Sequence, residues 1–138
     1  MKIHTTNYKN TFIEVADDCP VGIAETPPIK GNKLSVANMQ FALLNEAPYK
    51  FTSDEVLFQV YANKNDLIQA EYQEAREQFF SKGQPCFRAS PLTKRYGFGI
   101  HNNEEGKIAL FGIETEEYAK FIADESIEKV KAMRSKRK

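Results

Sequence analysis

The sequence predicts an α+β fold in which a small antiparallel sheet packs against about five helices. Apolar residues alternate with period two near the start of the chain and again from Tyr96, and they follow helical spacing in between. A run of turn-forming residues, Asn102 to Gly106, separates two alternating segments, as in a hairpin. Strand, helices, antiparallel strands and helices in that order lack the alternation of a βαβ array. A chain of 138 residues suits one domain spanning residues 1–138.

Tyr8 to Ala16 reads as the first strand, with Phe12 between Thr11 and Ile13, and Asp17-Asp18-Cys19-Pro20 stops it. Val21 to Lys33, with Gly22, Pro27, Pro28 and Gly31, is a loop long enough to cover something. Ser35 caps a helix carrying Val36, Met39 and Leu43, which Pro48 ends. Thr52 and Glu55 form a capping box for the next helix, flanked by a hydrophobic staple of Phe51 and Val56. Asp66 is expected to cap a third helix with Ile68, Tyr72, Ala75 and Phe79 on one face. Gly83 would close it in the left-handed conformation, and Pro85 prevents continuation.

Cys86 to Ala89 reads as a short strand, and Tyr96 to His101 with Lys107 to Ile113 as the C-terminal hairpin. Thr115 caps a helix whose first turn holds Glu116 and Glu117, with Tyr118, Phe121 and Ile122 facing inward. A last helix, roughly Glu125 to Arg134, is expected to bury Ile127 and Val130. Its basic end, 129–138, would oppose the helix macrodipole.

Composition narrows the function classes. Apolar residues make up 41% and charged residues 28%, which excludes wholesale disorder. Sixteen Phe and Tyr rings and no Trp make the expected core strongly aromatic. No secretory signal or membrane-length apolar run is present, so a cytoplasmic location is expected, with Cys19 and Cys86 as free thiols. The net charge of zero conceals an asymmetry. From Lys129 onward there are six basic and no acidic residues, so residues 1–128 carry −6 and the tail +6. Such a tail suits nucleic acid, an acidic partner or the protein's own acidic surface.

Chemistry gathers in Gln84 to His101, which holds three cations, a thiol, two hydroxyls and an imidazole. Tyr96, Phe98 and Ile100 share one face of the predicted strand; Gly97, Gly99 and His101 share the other. The two glycines either admit a closely packed neighbour or open a groove. Arg88, Ser90, Lys94, Arg95 and His101 are the candidate ligand-binding residues, a lining suited to an anion. Gly97-Phe98-Gly99 matches part of an RNA-recognition signature, but Tyr96 stands where a basic residue belongs and Ile100 where an aromatic should stack. Cys86 is the candidate nucleophile if Arg88 or His101 stabilises its thiolate; otherwise it is a small buried hydrophobe. With only two histidines, no metal-ligand spacing is present, and no cofactor-binding loop is found.

The motifs Thr5-Thr6-Asn7-Tyr8, Asp18-Cys19-Pro20, Gly83-Gln84-Pro85-Cys86, Arg88-Ala89-Ser90-Pro91-Leu92, Lys94-Arg95-Tyr96-Gly97 and Met133-Arg134-Ser135-Lys136-Arg137 span nearly the whole chain. In these it resembles a family of uncharacterised bacterial and fungal proteins, a domain of unknown function. The resemblance implies no activity, only that the basic C-terminus belongs to the domain. Three functions are therefore expected to compete. The preferred one is a non-catalytic domain binding a small anionic ligand or a protein partner, with a homo-oligomer open. The alternatives are a nucleic-acid binder using 88–95 and the basic C-terminus, and a thiol-dependent enzyme built on Cys86.

Overall fold

A computed structural model of the chain describes residues 3–135. It has five helices and a four-stranded sheet, an α+β arrangement as the sequence predicts. The strands are β1 (Thr11–Glu14), β2 (Phe98–Asn102), β3 (Ile108–Gly112) and β4 (Glu128–Lys131), in the spatial order β3-β2-β1-β4. The β2–β3 and β1–β2 pairs are antiparallel, whereas β4 runs parallel to β1, with Ile13 opposite Val130. The sheet is therefore mixed.

Alternation along the strands puts a separate core on each face. Ile13 and Ile100 join Leu44 of α1 (Val36–Glu46), Val56 of α2 (Ser53–Lys64), Leu92 of the short α4 (Pro91–Lys94) and the fully buried Phe87. On the opposite face Phe12 packs with Tyr118 and Phe121 of α5 (Glu116–Ala123). The Phe12 ring meets Tyr118 edge-on and stacks on Phe121, both at 5.0 Å, geometries that aromatic quadrupoles favour. A third, smaller cluster joins Phe58 and Ala62 of α2 to Phe80 of α3 (Tyr72–Phe80).

The predicted caps of α1, α2 and α5 form as side-chain hydrogen bonds. Ser35 accepts from Asn38 N–H, Thr52 from Glu55 N–H, and Thr115 from Tyr118 N–H. The hairpin turn is held by Asn103, whose Oδ1 accepts from the N–H groups of Glu105 and Lys107, with Gly106 at φ +81°.

Four local expectations are corrected. Asp66 does not cap α3; it lies in the left-handed region at φ 51°, just beyond α2. Helical geometry resumes only at Gln69–Glu71, where the Glu71 carboxylate accepts from Ile68 N–H. Gly83 is not a left-handed cap: α3 ends at Phe80, and Ser81 Oγ and Gln84 Nε2 donate to the Gln78 and Phe79 carbonyls instead. Cys86 to Ala89 is not a strand, because Phe87–Ala89 coils into a 3₁₀ turn that sinks Phe87 into the core. Finally, Glu125 to Arg134 is not a helix. It holds the edge strand β4, which Arg88 fastens by donating from Nε to Lys131 O (2.6 Å) and accepting from Met133 N–H (2.7 Å). Lys136, Arg137 and Lys138, the end of the basic tail, lie outside the described residues.

Candidate functional site

Strand β2 decides how the predicted site residues are distributed. Its Ile100 side faces α1 and α4, so Gly99 and His101 face α5. A Cβ on Gly99 would sit 2.5 Å from Phe12 Cζ and 2.7 Å from Tyr118 Cε2. At Gly99 this face is thus filled by aromatic rings, and Gly99 is a packing device; Gly97, expected on the same face, lies before the strand at φ +80°, where a Cβ would meet Val21 and Ala24.

His101 belongs to the same layer. Its ring stacks on Phe121 with centroids 4.2 Å apart, and its Nδ1 shares a 2.9 Å hydrogen bond with Tyr49 Oη. Burial holds the imidazole pKa below its ordinary value, and the nearby Asp124 charge acts in the opposite direction. Cys86, Ser90, Lys94 and Arg95 lie across the sheet, so His101 is not grouped with them.

Arg88 is likewise engaged elsewhere, on the β4 carbonyl described above and near Tyr8. The Tyr8 hydroxyl is 3.7 Å from Cys86 Sγ. Burial first, and then the Cys86 thiol, pushes the Tyr8 phenol above its ordinary range, while Arg88 works against that shift.

The remaining candidates do meet. A cleft of about 330 Å³ opens between α1, α2 and the Gln84–Pro91 segment, and Cys86 and Ser90 lie in its wall. Its surface is mostly apolar, with Val36 of α1 and Leu57 and Val60 of α2 among the lining residues, and Lys64 lines it as well. A second cleft of about 390 Å³ adjoins it, sharing Val36, Ala89 and Pro91, and there Lys94 and Arg95 contribute. No acidic side chain lines either cleft among the described residues.

Ser90 links the wall of the cleft to α1. It is 5% exposed; its Oγ caps α4 by accepting from Leu92 N–H (3.1 Å) and donates to Gln40 Oε1 (2.6 Å). Gln40 and Lys64 are among the polar lining residues the sequence did not nominate. They stand on helices far from the Gln84–His101 segment in sequence, and only tertiary packing brings them beside it.

A protein-family model described as a family of unknown function (DUF6157) matches residues 3–138. The chain belongs to that family. No curated protein and no solved structure matches it.

In this member of DUF6157, any chemistry resides in the side chains of the site and not in the fold as such. Among the described residues no group of three or more His, Cys, Asp or Glu side chains is placed to hold a metal ion. No described helix is long and apolar enough to cross a membrane. The joined clefts offer an apolar floor, three cations and one buried amide. Such a combination can bury a hydrocarbon body and neutralise an anionic end.

Proposed function

We propose that this chain binds a small organic anion with an apolar body, seated in the cleft between α1, α2 and Gln84–Pro91. One observation carries the reading: two adjoining clefts hold Lys64, Lys94 and Arg95 and no acid. An apolar ligand of either charge would fill the floor, but only an anion gains from that rim. The cleft volume lies at the lower end of the range for small-molecule sites, which suits a single short chain and not a dinucleotide.

Geometry favours this over the two alternatives. Arg88, which a nucleic-acid surface would need, donates to the Lys131 carbonyl. His101, which would serve as base to a Cys86 nucleophile, is held by Phe121 and Tyr49 across the sheet.

Isothermal titration calorimetry with hexanoate, octanoate and decanoate, and with octanol as the uncharged control, tests the proposal. Each added methylene buried in the cleft is expected to tighten binding by about fourfold, at about 0.8 kcal/mol per group. The double variant Lys94→Ala, Arg95→Ala should weaken octanoate by about tenfold and leave octanol unchanged. Octanol and octanoate binding equally, or neither binding, would overturn the reading.

A further inference from the structure

We infer that the anion bound in this cleft carries a carbonyl along its chain, and that Gln40 is the residue that reads it. This rests on the anion-binding reading above and specifies the ligand class. Gln40 occupies a core position of α1, between buried Ala37 and Leu44 on the same helical face, and is 3% exposed. A Met there would complete the apolar floor. The free end of this amide meets the solvent of the cleft and is not sealed in the core: the fully buried side-chain atom without a partner among the described residues is Asn102 Oδ1, not Gln40 Nε2.

Only one end is matched by protein. Ser90 Oγ, which accepts the Leu92 N–H, directs its own proton to Gln40 Oε1, and this fixes which end of the amide is left over. No described residue accepts from Gln40 Nε2, and Gln40 lines the cleft. The nitrogen carries two N–H donors and no acceptor, so its partner in a ligand is a carbonyl oxygen or its equivalent. Other polar groups there are engaged or exposed: Gln84 Nε2 donates to Phe79 O, and Lys64 is exposed. A ligand that covers Gln40 with methylenes leaves a buried donor unmatched, which costs roughly ten- to a hundredfold in affinity. The fitting class is an acylated amino acid or an oxo-carboxylate, with its carboxylate toward Lys94 and Arg95 and its carbonyl at Gln40.

The experiment compares three probes of equal chain length by calorimetry: nonanoate, N-hexanoylglycine and the corresponding ketone carboxylate. The wild-type chain should bind the amide and the ketone at least tenfold more tightly than nonanoate. Gln40→Met should reverse that order. Gln40→Leu, which is uncharged and lacks the donor, should abolish the preference; it serves as the test if the Met variant does not fold. Equal binding of all three probes by the wild type would sink the carbonyl reading while leaving the anion reading intact. A preference for the amide without one for the ketone would also sink it, since the ligand's N–H would then be responsible. Failure of all three to bind would remove both readings.

Discussion

Gly99 has no side chain because two rings occupy the space where one would go. Adding a methyl, Gly99→Ala, forces it against Phe12 and Tyr118 in the middle of the α5-facing core. Neither ring can yield easily, since Phe12 is fully buried and the Tyr118 hydroxyl accepts from Val15 N–H (2.9 Å). Overpacking of this kind costs about 1–3 kcal/mol, and urea denaturation should show it; a variant as stable as the parent would contradict the packing role. His101, two residues on, makes a pH prediction. Its folded pKa lies below the ordinary 6.5, so between those two values the unfolded chain binds more protons than the folded one. The contribution of His101 to stability is therefore fully present above about 6.5 and is lost as the pH falls from there toward the folded pKa. Replacing His101→Gln should flatten that acid limb of the melting temperature, and an unchanged limb would assign it to other groups. Both residues were conspicuous in the sequence, but their direction was not. Period-two alternation places Gly99 and His101 together on one face, and only the docking of α5 decides whether that face is a groove or a core.

Among the elements, those that declare themselves by local chemistry were legible. α1, α2 and α5 each begin with a hydroxyl that caps its own helix three residues away, so neighbours in sequence suffice to place them. The hairpin was legible for the same reason, through Asn103 and Gly106. β4 was not, because its partner is more than a hundred residues distant. Ile127 and Val130 are spaced three apart and fit a helix, while the pattern that matters, Val130 and Ala132, has period two and joins the main core. The Asp124 carboxylate, accepting from Ser126 N–H and Oγ, separates β4 from α5. Cys86 to Ala89 misled in the opposite sense. Pro85 and Pro91 bracket a segment whose Phe87 must reach the core, and Thr93 Oγ1 donating to Phe87 O (2.6 Å) holds it in a turn. The cleft inherits this division: local clustering nominated Cys86, Ser90, Lys94 and Arg95, whereas Gln40 and Lys64 join only through the packing of α1 and α2.

Across the whole molecule, the acidic body and basic tail meet at least in part on the protein's own surface. Lys131 Nζ lies 2.7 Å from Asp17 and 3.6 Å from Glu14, and Lys129 donates to the Asp124 carbonyl. The Asp17 hydrogen bond, acting first among several causes, raises the Lys131 pKa above its ordinary value. These contacts are exposed, so they are worth little to stability. What the segment contributes is a strand: β4 covers the edge of β1, and Val130 packs against the main core beside Ile13. Deleting the chain from Lys129 would therefore remove a structural strand together with the charge, and a loss of binding in that truncation would say nothing about nucleic acid. Point substitutions separate the two contributions. Lys131→Gln should cost under about 1 kcal/mol, and less as salt is added. Val130→Asp, which places a carboxylate against the apolar core, should cost about 2 kcal/mol or more, with little dependence on salt. Thermal denaturation of both variants at low and high salt reads the difference. If Lys131→Gln proves the more damaging of the pair, charge and not strand pairing is what ties the C-terminal segment to the fold.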